Sequence, residues 1–556
     1  MKTRKYIAIL ASALTLSACS DMLDLKPNGQ FTADLMGEEA VPGLLASAYA
    51  GLEAHFFGNN EAFAGPSTNW IFDVRSDDAL KGGGGVTMEA NIHQLEISNI
   101  FSDNVSCLNK WQNNYYAISR VHRAMEAIRN AESITEENKN QYLGELKTLR
   151  AFYYFDLVKI FEHLPMITED CDPNYVDNKT YTQADFYKFI KSDLRAAYEM
   201  MGETSPQAGR FNKYCAAALL CKVYAFTQQW DSCEIYASYV INSGKYELYN
   251  NYLDMSKIDY NNMYESIIAL QCSTADDNAH INWSNLLNVT YSYDANGKQC
   301  YGTGDDFFYG SQNLADAFRT DADGLPYLDE DGAPAEHVSE NYSGNLDPRL
   351  DFTVGRIGFP FRGELYTDKW CRAYDVYGEY SGKKNCIDHN DPRMVQGWPW
   401  GASPLNFAFL RYADVLLLKA EALIEQNKDL GEACNLVNEV RQKAARSVDP
   451  TYLPVDIDAT KAHYNVGLYP SFPSQDYARK AVRMERRLEL AMEGHRWFDL
   501  VRWNMMEPGY ITTVMNNYFK SEAQFHSYYQ DAQMSDNEIF FPTPYAEVLN
   551  SNGLYQ

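Results

Sequence analysis

Over much of the chain, apolar residues recur every three or four positions. Ile118, Val121, Met125 and Ile128 lie on one face of a helix expected over residues 108–130. The same period predicts helices over 41–55, 139–161 (stopping before Pro165) and 183–201. The clearest unit follows. A helix over 211–227 carries Ala217, Leu220, Val223 and Tyr224 on one face, Gln229-Trp230-Asp231 turns, and a return helix over 233–241 ends at Ser243-Gly244. That is a helical hairpin of ~34 residues, the size of a tetratricopeptide repeat. A second copy occupies 409–426 and 429–446. The earlier helices make repeats one and two, with an insertion splitting the first. The expected fold class is therefore mainly α: four tetratricopeptide-like helical hairpins forming an α scaffold, each burying one face on its neighbour.

The period fails in two places. Residues 58–107 are rich in Gly and Asn and include Gly82-Gly83-Gly84-Gly85, and residues 245–407 are rich in Gly, Asn, Asp, Pro and aromatics, with short strand-like runs such as 266–271. Excursions of this length on a rigid scaffold usually carry binding function. The N-terminus is an address. Lys2, Arg4 and Lys5 precede a mostly apolar stretch over 6–16 that is too short to span a bilayer and ends in Leu16-Ser17-Ala18-Cys19. This ending resembles a bacterial lipobox, in which the Cys becomes the lipid-bearing first residue. The organisation expected is a signal peptide over 1–18, lipid anchor and leash over 19–37, repeats one to three over 38–244 with the insertion at 58–107, a loop-rich ligand-binding insertion over 245–407, and repeat four plus a C-terminal region over 408–556. No later segment offers ~18 uninterrupted apolar residues, so the lipid on Cys19 would be the only anchor.

Composition narrows the partners. The chain of 556 residues is 46% apolar and 22% charged, the proportions of a folded globular protein, and its formal net charge is −27. Such an acidic surface repels phosphate backbones and anionic lipid, which sets nucleic acid aside. Forty-one tyrosines supply apolar faces with polar tips. The ten cysteines after Cys19 contain no Cys-x-x-Cys, and Cys215, Cys221 and Cys233 sit among apolar neighbours, where a small buried hydrophobe is the simpler reading.

Several segments resemble the SusD/RagB family, surface lipoproteins of Bacteroidetes that bind nutrients beside a TonB-dependent outer-membrane transporter. These are Leu149-Arg150-Ala151-Phe152-Tyr153-Tyr154-Phe155-Asp156-Leu157, Asp347-Pro348-Arg349-Leu350, Arg411-Tyr412-Ala413-Asp414 and Lys419-Ala420-Glu421-Ala422. The strongest runs from Glu485-Arg486-Arg487-Leu488-Glu489 through Glu493-Gly494-His495-Arg496-Trp497-Phe498-Asp499 to Arg502-Trp503, and Pro542-Thr543-Pro544 with the final Gly553-Leu554-Tyr555-Gln556 also fits. The resemblance implies a four-repeat scaffold with a loop-rich binding subdomain, capture of oligosaccharide or other nutrient at the cell surface without chemistry on it, and a SusC-like transporter as partner. The location implied is the outer membrane, lipid-anchored and facing outward.

The 485–503 motif gathers Glu, Arg, His and Trp, yet it reads as scaffold. Ala481, Met484, Leu488 and Ala491 make an apolar stripe, and Arg486 is placed to pair with Glu489 and Glu493 along the helix. Gly494 suits a helix C-terminus. Gly-x-Ser-x-Gly and His-Glu-x-x-His are absent, the histidines lack metal-ligand spacing, and no cofactor is expected. Asp321-Ala322-Asp323-Gly324 and Asp329-Glu330-Asp331-Gly332 read as acidic surface turns, a structural calcium being the one metal their oxygens would suit. A sugar needs aromatic planes for its C–H face and Asp, Asn or Arg for its hydroxyls. Two loop segments offer both. Trp70, Trp283, Tyr291 and Tyr293 are expected to stack on glycan, with Arg75, Asp77, Asp78 and Asp294 binding hydroxyls; Trp398-Pro399-Trp400 is a third candidate. A surface glycoside hydrolase or esterase, and a peptide-binding repeat module, are the alternative readings.

Overall fold

The structure, a computed structural model, describes residues 40–53, 68–275, 287, 289–290, 297, 304–329, 332–395, 401–449, 451 and 456–556. In chain order the first helices are α1 (Val41–Tyr49), α2 (Trp70–Val74), α3 (Ala90–Glu96), α4 (Val105–Asn130), α5 (Glu136–Ile160), α6 (Gln183–Met200), α7 (Lys213–Phe226) and α8 (Trp230–Asn242). The central region adds α9 (Gln312–Ala317), α10 (Arg349–Thr353) and α11 (Tyr374–Tyr377). The C-terminal third contributes α12 (Tyr412–Glu425), α13 (Leu430–Arg446), α14 (Gln475–Leu490), α15 (Arg496–Met506), α16 (Tyr510–Glu522) and α17 (Tyr545–Asn550). Side chains at the N-caps fix where several start. Asn104, Thr135, Asn212, Asp429 and Ser474 each accept a backbone N–H of the first turn, and Thr182 forms a capping box with Asp185.

The helices stack as the periodicity implies. α1 packs on α4, α5 on α6, α7 on α8 and α12 on α13, and the pairs adjoin through α4–α5, α6–α7 and α8–α12. This is a mainly α scaffold of four hairpins. Cys215, Cys221 and Cys233 are buried free thiols within it. No helix among the described residues is long and apolar enough to cross a membrane.

Strands are short: β1 (Ala79–Gly82), β2 (Ser266–Leu270), β3 (Phe307–Gly310), β4 (Arg319–Thr320), β5 (Asn345–Leu346), β6 (Pro360–Phe361), β7 (Glu364–Leu365), β8 (Phe407–Arg411) and β9 (His463–Tyr464). β1 pairs antiparallel with β3, so the two insertions are sewn together. β2 pairs antiparallel with β8, Ala269 opposite Ala408 and Leu270 opposite Phe407. The glycine run 82–85 has a structural cause. Lys81 is buried, and its Nζ donates to the carbonyls of Gly82, Gly85 and Met88 at 3.0, 2.9 and 2.6 Å, which needs a backbone that wraps tightly. Gly82 has φ +74°, and a Cβ there would lie 2.5 Å from the Asp306 carbonyl oxygen.

Three of the family-like motifs, those at 347–350, 411–414 and 485–493, meet in a buried charge lattice between β8, α13, α14 and the central insertion. Arg349 binds Asp347 (2.8 Å), Glu485 (2.7 Å) and Glu489 (3.1 Å). Arg411 binds Glu265, Glu489 and Glu493, and Lys443 binds Glu265 and Glu489 at 2.6 Å each. Arg441 reaches Glu485 at 2.8 Å and Lys384 reaches Glu493 at 2.6 Å. Five cations therefore face five carboxylates. Ala481 and Leu488 of the expected stripe are buried on α14, Met484 is partly buried and Ala491 lies just past the helix end, but Arg486 does not pair along its own helix. It spans to Asp414 (2.7 Å) and Asp499 (2.9 Å), because Glu489 and Glu493 are claimed by cations from other elements. Gly494 does not end a helix either. α14 stops at Leu490, and Gly494 sits in the turn before α15 with its N–H on Asp73 at 2.6 Å and its φ at +80° against Asn69.

Candidate functional site

The structure places the first set of expected sugar ligands inside the scaffold. The segment 70–74 is nearly all apolar, so it folds as α2 and buries that face against α15. Trp70 packs on Phe307 and Phe308, with ring centroids at 6.1 and 5.4 Å. The Arg75 guanidinium lies 4.0 Å from the Trp497 ring centroid and donates to the carbonyls of Glu538 and Ile539. Asp77 accepts two bonds from Arg496, at 2.7 and 2.8 Å, and Asp78 accepts from Arg487 at 2.7 Å. All four are buried, Trp70 against aromatic rings and the other three in bonds within the protein, so the expectation that they meet a glycan is corrected: Asp77 and Asp78 hold the first insertion to α14 and α15. Trp283, Tyr291, Tyr293 and Asp294 lie outside the described residues, as do Trp398, Trp400 and Cys19.

A small solvent-open cleft lies beside the β2–β8 pair. Three kinds of side chain line it. Arg411, Lys384 and Glu493 form the floor, part of the charge lattice. Tyr249 and Tyr260, 6.2 Å apart and each within 5.7 Å of Tyr264, line it together with Phe407 of β8. Asn261, Asn262, Asn385 and Asn406 bring amides to it.

These amides are held in place before any ligand arrives. Asn262 and Gln271 exchange bonds at 2.7 and 2.9 Å, and Asn406 donates to the same Gln271 oxygen at 3.1 Å. The Asn406 oxygen accepts the Cys272 N–H at 2.9 Å, and Asn261 accepts the Asn406 N–H at 3.1 Å. Fixed donors and acceptors between tyrosine and phenylalanine rings suit a neutral polyhydroxylated ligand, which needs bonds at its rim and an apolar plane at its face.

The floor does not suit acid–base chemistry. Burial alone would raise Glu493, but Arg411 and Lys384 outweigh it and hold the carboxyl at about 2. It is ionised and engaged at neutral pH, whereas a glycosidase acid must hold its proton. Glu493 is the one carboxylate among the described lining residues. Sequence reasoning missed Tyr260, Asn262, Asn406 and Phe407, which are ordinary residues until β2 and β8 pair.

Beyond Gln271 a second opening of about 1190 Å³ runs between α1, Tyr142 and Arg210. The acidic turn at 321–324 is an Asx turn, Asp321 accepting the N–H groups of Asp323 and Leu325 at 2.9 Å. Among the described residues no group of three His, Cys, Asp or Glu is placed to hold a metal ion.

Comparison with known proteins gives a consistent set of relatives. The model of the SusD family matches residues 264–556, and a model described as starch-binding associating with outer membrane matches 22–225. A SusD-like protein of Bacteroides ovatus is 24% identical, over 96% of this chain and 87% of that one. A SusD-like carbohydrate binding protein of Bacteroides fragilis has a solved structure that superposes with a TM-score of 0.70 at 20% identity, covering 93% of this chain and 98% of that one. Surface glycan-binding protein A of Bacteroides thetaiotaomicron, solved in complex with laminarihexaose, gives 0.66 at 18% identity, covering 93% and 99%.

Proposed function

Since the chain belongs to the SusD family, we propose that it is a cell-surface glycan-binding protein that captures an oligosaccharide and passes it to a TonB-dependent outer-membrane transporter without chemical change. The observation that carries this reading is the cleft beside β2 and β8, where fixed amides alternate with Tyr260 and Phe407 over a neutralised floor. The laminarihexaose bound by the Bacteroides thetaiotaomicron relative supports the ligand class. Catalysis is disfavoured by the chemistry of Glu493, which has no proton to give. The anchor is the lipid on Cys19, and the acidic body stays outside the membrane. The contacts expected of Trp283, Tyr291, Tyr293 and Asp294 belong to this proposal on residue type and place in the chain.

The test is affinity electrophoresis of the protein and its variants in gels cast with the polysaccharide that retards it most. Tyr260→Ala and Phe407→Ala are each expected to weaken binding up to about tenfold, because a stacking contact on an aromatic ring contributes ~0.5–1.5 kcal/mol. Trp283→Ala tests the second segment in the same gel. Unchanged mobility of all three variants, with their fold intact by circular dichroism, would place the glycan elsewhere.

A further inference from the structure

The third hairpin holds a pair of cysteines that the proposed function does not use. Cys221 lies in the second half of α7 and Cys233 in the first turn of α8, on either side of the bend that joins the two helices. Their sulfurs are 3.5 Å apart, and both residues are 0% exposed. Cys233 Sγ also faces the Leu418 carbonyl of α12 at 3.7 Å, so the pair sits where the third hairpin meets the fourth.

The contact is imposed by the fold. The two positions are 12 residues apart, and the packing of α7 on α8 already brings them together. A disulfide bond is about 2.05 Å long, so closing the pair takes roughly 0.7 Å of approach from each sulfur. The reduced pair gains little from its contact, because a thiol is a weak donor and a weak acceptor.

The same packing isolates the pair once it has formed. Thiol–disulfide exchange needs a thiolate in line with an attacking or accepting sulfur. Neither sulfur meets solvent, and burial, with the Cys221 sulfur next in effect, raises the Cys233 thiol well above its ordinary value. Exchange therefore belongs to the chain before α8 closes on α7, and the redox state present at that moment is the one the folded protein keeps.

We propose that Cys221 and Cys233 are joined by a disulfide in the exported protein, made by a disulfide oxidant before the third hairpin packs and shielded from exchange afterwards. One cysteine thiolate attacks a sulfur of the oxidant, forming a mixed disulfide and releasing one oxidant thiolate. The other cysteine thiolate then attacks the cysteine sulfur of that mixed disulfide, closing Cys221 to Cys233 and releasing the second. The cysteines give up two electrons and two protons, and the oxidant leaves as two thiols. The setting rests on the export proposed above, which takes the chain out of the reducing cytoplasm; the contact between the sulfurs does not.

Peptide mapping reads the bond without any variant. Protein exported with its own signal is denatured in N-ethylmaleimide, digested and sequenced by tandem mass spectrometry. The expected product is a peptide pair linked through Cys221 and Cys233 with neither sulfur alkylated; fragmentation separates Cys221 from Cys215, which shares its tryptic peptide. Alkylation of both, or a link from either to another cysteine, overturns the proposal. The chain from residue 20 onward, made in a reducing cytoplasm, should carry both thiols. Oxidised glutathione added to it folded should leave them open, and refolding from urea in a mixture of oxidised and reduced glutathione should close them. Closure without urea overturns the shielding, and failure to close on refolding overturns the pairing. Closure on refolding beside free thiols in the exported protein overturns the setting. None of these arms contains glycan, so their failure is distinct from failure of the glycan-binding reading.

Discussion

Glu489 shows what the most family-like residues do. It is fully buried on α14 and meets Lys443, Arg411 and Arg349. Burial by itself would raise its carboxyl, but the three cations overcome that and hold it well below the usual range. Glu489→Gln leaves three buried cations short of charge, and the expected cost is ~3–5 kcal/mol, read by urea denaturation. Glu522 behaves oppositely. Burial raises it to about 8, although it accepts the N–H groups of Gln312 and Asn313 at the start of α9. The native chain keeps a proton that the unfolded chain, with an ordinary carboxyl near 4.5, has lost, so Glu522 makes stability fall as pH rises between those values. His495 acts on the acid side. Burial, then Lys222, lowers it from 6.5 to about 3, so below 6.5 the unfolded chain takes up a proton the native chain refuses, and stability falls as pH drops. Between 6.5 and 8 Glu522 shares this decline with Asp306, raised to about 7, and with Asp73, raised well above its usual value, burial being the main cause in each case. Glu522→Gln should lessen the decline in melting temperature across that window and leave the acid limb in place. An unchanged slope there would contradict the assignment.

The segment 68–88 illustrates the element scale. Lys81→Met would leave three carbonyls without their ammonium, and ~1–3 kcal/mol of stability is expected to go. Hydrogen exchange should quicken over 82–88 while the α5–α8 helices keep their protection; uniform acceleration everywhere would argue against a local cage. Helices were the part of the fold most legible in the sequence, because a 3.6-residue period survives any tertiary context. The turn between α12 and α13 falls within a residue of where the pattern puts it, whereas Trp230 and Asp231, expected in the turn before α8, open that helix instead. The 58–107 insertion was misread for a physical reason. Trp70, Arg75, Asp77 and Asp78 carry the residue types of a sugar site, but those types equally make a core ring, a guanidinium stacked on Trp497 and two ion-pair ends. Burial decides between the two, and burial depends on Arg487 and Arg496, more than 400 positions away. The cleft was illegible for the same reason. Asn262, Gln271 and Asn406 become one amide cluster only through the β2–β8 pairing, a contact between distant strands that no local pattern encodes.

At the scale of the whole molecule, four hairpins form a rigid stack and the two insertions are fastened to it by ion pairs at their base. The charge lattice joins Asp347 and Arg349 of the central insertion to α13 and α14, and Asp77 and Asp78 join the first insertion to α14 and α15. The cleft sits where this bracing ends, so its amides are held still while its mouth faces solvent, an arrangement suited to repeated capture and release. The measurement that tests this account most directly is retardation of the purified protein in native gels containing a panel of polysaccharides, with the chain length of each polymer measured before and after. The account predicts retardation by one polymer class and unchanged chain length. Shortening of the polymer would contradict it, and so would a folded protein that no polymer in the panel retards.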